Sequence, residues 1–521
     1  MSFLKSLRDE SGNSSLGRRY AFKLSTNLVG LFVNLITQAI IPRGLGPRAY
    51  GDFNFITNFF NQIIGFIDMG TSTAFYTKLS QRPREYGLVV FYLYFSILAS
   101  IMTLLFVLIV HQTGQINSIW PGQTIFYIYL GAGWGIFTWF SQTLNKITDA
   151  YGLTVPSEIA RIIQKILGLA MIVVLYLCHK LDLANFFYYN FIIIGFLGLA
   201  FAAVIKNSDF ALKGQYTITR EHAKKYIHEF YEYSAPLLLY ALAGVVIGIL
   251  DRWFLQQFAG SEQQGFYSLS YQIGAVCFLF TSAMTPLLMR EFSIAYDNKD
   301  ISQMAYYFRR YIPMLYSVAA YFSCFIAVQS ANVVYLFGGG QYKEAVLAVM
   351  IMAFYPIHQT YGQLSGSVFF ANGQTKLFRN IGIYFMTIGI PITYFLIAPA
   401  DRFGLDTGAV GLAVKMVGLQ FFWVNAQLYY NSKFLGLNYW RYLGHQIISV
   451  GCILTIAWIT TALVNQMNWM NDFVIANFLL TGFLYTLIII LVAYKFPRIF
   501  GIKHEDIAVI KHSINNRRRV K

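Results

Sequence analysis

Charge is what this 521-residue sequence has least of. Asp, Glu, Lys and Arg make up only 12% of it, while 56% is hydrophobic. A soluble domain carries about 25% charged and about 45–50% apolar residues. An ordinary soluble enzyme is therefore excluded, and apolar runs fill nearly the whole chain, so one membrane domain is the reading. Cysteine is scarce too. Cys178, Cys277, Cys324 and Cys452 lie in apolar runs with no metal-ligand spacing, and they read as free core thiols. The motifs of catalysis are missing: there is no Gly-rich phosphate loop, no zinc spacing and no nucleophile elbow. No cofactor is expected. The first twenty residues are polar and basic, without the apolar segment of a cleavable signal peptide. A formal charge of +16 would suggest nucleic acid in a soluble protein. In a membrane chain the positive-inside bias is the simpler source, and no nucleic-acid partner is expected.

A helix that spans a bilayer needs about 20 apolar residues. The chain offers fourteen such segments, near 21–41, 53–77, 87–110, 123–145, 157–178, 184–205, 234–257, 265–289, 311–329, 345–370, 378–397, 408–430, 444–464 and 473–494. With the N-terminus placed in the cytoplasm, the outer connections hold only Arg43, Arg48, Lys180, Lys343 and Arg402, against 29 Lys and Arg on the inner side. That asymmetry predicts both termini inside. No outer connection is long enough for a catalytic domain. The longest connection, 206–233, is on the inner side. It contains Arg220-Glu221-His222-Ala223-Lys224-Lys225, which reads as a plain linker or a helix lying among lipid headgroups. The basic tail through Arg517-Arg518-Arg519 reads as a topology and headgroup feature.

A glycine pattern organises the chain. Gly46 and Gly51 lie between two apolar runs in Leu45-Gly46-Pro47-Arg48-Ala49-Tyr50-Gly51-Asp52-Phe53, and read as a short loop. About 214 residues later, Gly260 and Gly265 repeat the spacing. Ala150-Tyr151-Gly152-Leu153-Thr154 is likewise echoed by Ala371-Asn372-Gly373-Gln374-Thr375, 221 residues on. Two echoes at nearly one offset predict a duplicated half, as is common in transporters. The halves are predicted as bundles over 21–205 and 234–430. They are flanked by an N-terminal segment 1–20, the connection 206–233, two further spans within 431–494 and a tail 495–521.

An ionisable side chain inside a span costs at least about 2.5–3.5 kcal/mol, so each needs a partner, a wet cavity or a role. Lys23 is close enough to the inner end of its helix to snorkel. Asp68 is deep in the second predicted span. Glu158, Arg161 and Lys165 share one face of the fifth by their spacing, and could neutralise one another or line a polar cavity. Asp251 and Arg252 are adjacent, so they diverge by about 100° and cannot simply pair. Lys415 sits inside the twelfth span. Arg252 and Lys415 are the leading candidates for a polar cavity. Asp68 and Asp251 are the deepest acids and the candidates for binding a coupling ion, H+ or Na+.

Leu45-Gly46-Pro47, Tyr50-Gly51 and Phe53, followed by Ile67-Asp68-Met69-Gly70, resemble the opening helices of Wzx-type polysaccharide flippases of the multidrug/oligosaccharidyl-lipid/polysaccharide exporter superfamily. Asp251-Arg252-Trp253 with Gly260, Gly265 and Tyr267 resembles the start of that family's second half. Leu336-Phe337-Gly338-Gly339-Gly340-Gln341-Tyr342 and Ala371, Gly373 and Thr375 resemble later pieces. The resemblance covers about residues 15–495. It implies an all-α integral membrane protein of two pseudo-repeated six-helix bundles, meeting in a V around a polar lumen, plus two C-terminal helices. It implies a flippase that moves undecaprenyl-pyrophosphate-linked sugar units across the bacterial cytoplasmic membrane, working beside other polysaccharide-assembly proteins. Such a cargo wants fixed cations, and the span-embedded ones are Arg252, Lys415, Arg161, Lys165 and Lys23. The related peptidoglycan-precursor flippases carry an arginine-aspartate pair where this chain has only Lys23. The alternatives are a cation-coupled drug or metabolite antiporter of the superfamily, and a polymerase or ligase acting on lipid-linked glycans.

Overall fold

The computed structural model describes the backbone of residues 16–210, 218–235, 238–275, 277, 284–467 and 473–502; side chains at 16–29, 31, 233 and 234 are outside the description. The described residues form helices and turns, without a strand. Nine of the described helices are long and apolar enough to cross a membrane. The chain is a multi-pass, all-α membrane protein.

Two compact units divide it, Met1–Gly265 and Phe266–Lys521. Unit 1 contains α1 (Leu16–Asp68), α2 (Thr71–Gln81), α3 (Tyr86–Gln112), the single turn α4 (Ile116–Ile119), α5 (Ile125–Ala150), α6 (Thr154–Leu177), α7 (Leu183–Lys206) and α8 (Arg220–Ser234). It also takes most of α9 (Leu238–Ala275). The division therefore falls inside α9, after its second glycine, and not in the 206–233 connection.

The predicted loop at 42–52 is a kink in a continuing helix. Helical geometry in α1 breaks at Gly46 alone, with φ 75° and ψ 167°. α9 breaks in the same way at Gly260, with φ 79° and ψ −176°. These angles are open to glycine and strained for any residue with a Cβ. The other echoed pair also matches: Gly152 (φ 70°) joins α5 to α6, and Gly373 (φ 72°) joins α14 (Tyr355–Ala371) to α15 (Thr375–Ile397). In each echoed pair both glycines thus take a positive φ.

Within unit 1, α6 packs on α1, and α7 packs on both α5 and α6. α8 is docked, not a plain linker. It packs on α2 and α3 and buries Tyr226 and Phe230 in a cluster with Phe75, Leu79, Leu88 and Tyr92. Burying such side chains contributes about 1.5–3 kcal/mol each. Phe75 stacks on Tyr92 with centroids 4.2 Å apart, and Tyr226 and Phe230 lie 5.3 Å and 5.9 Å from Phe91. The heavily charged face made this helix read as solvated, because two aromatic anchors four apart are a weak periodic signal.

Unit 2 is built around α11 (Ile301–Val328), which packs on α10 (Met284–Asp297), α14 and α17 (Tyr439–Asn465). α15 packs on α16 (Gly408–Leu435), and α18 (Val474–Lys495) on α17. α12 (Ser330–Gly338) leads to a 3-10 turn, Gly340–Ala345, and to α13 (Val346–Met352). The predicted span 345–370 is therefore broken, with Ala353 and Phe354 between α13 and Pro356 in the first turn of α14. Proline fits there because its missing N–H would have no helical partner. The cysteines are free, but Cys178 is exposed at the end of α6 and is not a core thiol.

Candidate functional site

The predicted second span, 53–77, ends early. α1 stops at Asp68, Met69 and Gly70 turn with φ 43° and 84°, and α2 restarts at Thr71. Asp68 makes the break possible. Its carboxylate accepts from Thr71 Oγ1 (2.9 Å), the Ser72 backbone N–H (2.7 Å) and Ser72 Oγ (2.6 Å), so it satisfies the start of α2 as a capping residue does. Tyr92 Oη adds a longer contact at 3.4 Å. The residue therefore sits at a helix junction, not in mid-helix.

From Ser72 the polar contacts continue. Lys146 Nζ of α5 donates to Ser72 Oγ. The preceding residue, Asn145, accepts from Arg161 Nη2 of α6. Arg161 Nη1 lies 2.6 Å from Glu158 Oε1, one turn back, and its guanidinium stands 5.7 Å from the Phe201 ring centroid. Glu158 is 1% exposed. Buried charges are tolerated when paired and hydrogen-bonded, and this one is. Lys165 follows one turn later against α1, where a methyl group at Gly30 would collide with its Nζ. Three cations, Lys146, Arg161 and Lys165, thus share this part of unit 1 with two carboxylates, Asp68 and Glu158. The shared helical face of Glu158, Arg161 and Lys165 was legible in their spacing. Lys146 falls just past the predicted span 123–145, and Asn145, Ser72 and Tyr92 carry no signal of their own beyond polarity.

Arg252 belongs to a different cluster of unit 1. Its Nη1 donates to Gln264 Oε1 at 2.9 Å, and Gln264 Nε2 donates back to the Arg252 carbonyl. This pairing spans the Gly260 kink. Asp251 is partly buried beside it. In unit 2, Lys415 is only 5% exposed on α16. It lies against α15 where Gly389 leaves room: a Cβ there would be 3.1 Å from Lys415 Cε. Lys23 is in α1, but its side chain is outside the described residues.

Around Lys415's helix, unit 2 is rich in neutral polar groups. Gln420 Nε2 donates to Gln359 Oε1 (2.7 Å), Gln446 Nε2 to Asn425 Oδ1 (3.2 Å), and Asn431 Nδ2 to the Ser365 carbonyl (2.9 Å). These amides lie on α14, α16 and α17. The five spanning helices of this unit, α11, α15, α16, α17 and α18, contain no Asp or Glu.

The contacts bind and position; none of them is arranged around a nucleophile. The polysaccharide biosynthesis protein family matches residues 16–290, more than half of the chain. Solved structures share the fold at low sequence identity. An inward-facing multidrug resistance MATE family transporter of the MOP superfamily gives a TM-score of 0.61 at 14% identity, covering 78% of this chain and 95% of its own. The lipid II flippase MurJ in an inward closed conformation gives 0.59 at 14% identity, covering 90% and 97%. A MOP superfamily transporter from Pyrococcus furiosus gives 0.52 at 13% identity, covering 80% and 95%. No curated protein sequence matches. The fold is that of the MOP superfamily transporters, and the chain belongs to the polysaccharide biosynthesis protein family.

Proposed function

We propose that this protein is a flippase that carries undecaprenyl-pyrophosphate-linked oligosaccharide across the bacterial cytoplasmic membrane by alternating access. In this reading both termini are cytoplasmic, and the repeated bundles span 21–205 and 234–430. The observation that carries it is the half-buried polar network of unit 1, in which Lys146, Arg161 and Lys165 outnumber Asp68 and Glu158. A pyrophosphate crossing a bilayer needs fixed cations, because its bare charge is very costly there. Arginine suits the task, since its guanidinium grips phosphate oxygens in pairs, while lysine acts as a point charge. Arg252 and Lys415 extend the set of cations over the other clusters. Asp68, tied to Lys146 through Ser72, and Asp251 are the carboxylates that would bind a coupling H+ or Na+.

The test is transport by the purified full-length protein in proteoliposomes loaded with undecaprenyl-pyrophosphate-linked oligosaccharide on one leaflet. Flipping that falls at least tenfold in the Arg161→Gln and Lys165→Gln variants supports the reading. Absence of lipid-linked sugar movement, with uptake of small cationic compounds in the same vesicles, would overturn it in favour of an antiporter.

A further inference from the structure

The two kinked helices of unit 1 meet at their glycines. A Cβ on Gly51 of α1 would strike the Ser261 carbonyl oxygen of α9 and lie 2.7 Å from Gly265 N. A Cβ on Gly265 would strike the Pro47 carbonyl oxygen and lie 2.8 Å from the Pro47 carbonyl carbon. The contact is reciprocal. In each helix the residue after the kink glycine touches the second glycine of the other. Only backbone without a side chain can approach so closely.

One carboxylate clasps this crossing. Asp52, next to Gly51, lies in the connection between the first two predicted spans. Its Oδ1 accepts from Gln123 Nε2 at 2.5 Å, and its carboxylate also bonds the Ser261 side chain. Ser261 is bound in turn by Gln256 Nε2 at 2.9 Å, and the same nitrogen reaches the Pro121 carbonyl at 3.1 Å. Gln256 is 4% exposed, and its Oε1 is buried without a hydrogen-bond partner. Trp253 Nε1 donates to the Ser118 carbonyl at 2.9 Å. Asp52 is thus the acid that joins α1, the connection before α5 and the kinked end of α9.

We propose that Asp52 is a proton-binding site that governs the glycine crossing, so that its ionised form holds α9 against α1 and its protonated form releases it. A carboxylate receives charge-assisted hydrogen bonds roughly twice as strong as neutral ones. A proton from solution, added to Asp52, turns the bonds from Gln123 and Ser261 into neutral ones and weakens the clasp. Burial raises the Asp52 carboxyl above the ordinary carboxylate range, opposed by the Ser261 and Gln123 bonds and the Arg48 charge, which lower it. Arg48 is the charged group acting on Asp52 from α1. On α9, Arg252 acts on Tyr50, and Glu262 is exposed. The 113–124 connection carries no charged residue. The inference rests on alternating access but not on the cargo.

Its test reads distance, not transport. In full-length protein with Cys178, Cys277, Cys324 and Cys452 replaced by Ser, spin labels go on Asn117→Cys and Gln257→Cys, both exposed positions. Pulsed dipolar spectroscopy in nanodiscs then gives the share of separated molecules. Acidification from about pH 7.5 to about pH 5 should raise that share at least threefold. Asp52→Asn should show the acid distribution at both pH values, and Ser261→Ala should move the midpoint to higher pH by removing a bond that favours the carboxylate. A distribution that ignores pH, or an Asp52→Asn variant that keeps the wild-type pH response, overturns the proposal. Should Asp52→Asn fail to fold, an unchanged midpoint in Ser261→Ala overturns it alone. The readout needs no lipid-linked sugar, so its failure and that of the flipping assay are separate events.

Discussion

The two compact units handle embedded charge in opposite ways. Unit 1 holds acids and bases together: Glu158 with Arg161 at 2.6 Å, and Asp68 with Lys146 through Ser72. Unit 2 holds Lys415 among helices without an acid and fills its polar interior with Gln, Asn, Ser and Thr. The difference teaches where a mutation should hurt stability and where it should hurt function. Breaking a buried pair leaves an uncompensated charge, which is strongly destabilising. Replacing a buried cation on spanning helices that carry no acid takes away a desolvation cost, so its retention points to use.

The sharpest way to break the comparison is at Lys415. Lys415→Met should lower flipping at least tenfold while leaving the apparent melting temperature in detergent unchanged or higher. Lys415→Arg should keep part of the activity. A Lys415→Met protein that melts well below wild type would show that the side chain serves packing, and the contrast between the units would fail.

Unit 1 should respond the other way. Glu158→Ala leaves the half-buried Arg161 without its carboxylate but still bound to Asn145, with an expected cost of about 1–3 kcal/mol. Thermal unfolding in detergent measures it. The double variant Glu158→Gln with Arg161→Met should recover most of the loss while flipping stays low. Recovery of flipping along with stability would make the pair structural only.

What was legible follows from the same physics. Apolar length and glycine spacing are local properties, so the all-α membrane character and the positive-φ glycines could be read directly, with Gly46 and Gly260 as the clearest case. The face shared by Glu158, Arg161 and Lys165 was legible because helical periodicity fixes it. Three-dimensional partners were not. Asp68 read as mid-span because nothing in Ile67-Asp68-Met69-Gly70 excludes a continuing helix; the break depends on the donors at Thr71 and Ser72. Lys146 read as a topological charge, and only the fold brings it to Ser72. α8 read as linker because its charged residues outnumber Tyr226 and Phe230, and docking depends on loop 82–85 being beneath it.

That dock offers a third, smaller contrast, since it pairs charge at a half-buried site that solvent still reaches. Arg82 lies 2.5 Å from Glu229 and 3.0 Å from Glu85, and Lys225 3.5 Å from Glu85. Burial works against the Arg82 charge, but the Glu229 bond and the two carboxylates outweigh it and hold the guanidinium above its ordinary range. Solvent reaches these groups, so the stabilisation is that of a surface pair, about 0.2–1 kcal/mol. Arg82→Glu should raise amide exchange in α8 several-fold, and adding Glu229→Arg should restore protection. Unchanged exchange in the single variant would show that Tyr226 and Phe230 hold α8 unaided.

The smallest effect expected is a pH limit on the same dock. Tyr226 Oη donates to Glu85 Oε1 at 2.9 Å, and the residue is 2% exposed. Burial first, then the Glu85 bond and charge, push its phenol from 10.0 up to about 12. A folded-state value above the unfolded one means the contribution is complete below about pH 10. It is lost as pH rises through about 12, when the phenol must ionise beside Glu85. Protection of α8, measured by exchange and corrected for the intrinsic rate, should therefore hold to about pH 10 and fall towards pH 12. In Tyr226→Phe the fall over that window should disappear, with a small uniform loss of protection from the missing hydrogen bond. A wild-type protein whose α8 keeps its protection unchanged from about pH 10 to about pH 12 would show that the buried phenol does not set the dock's pH limit.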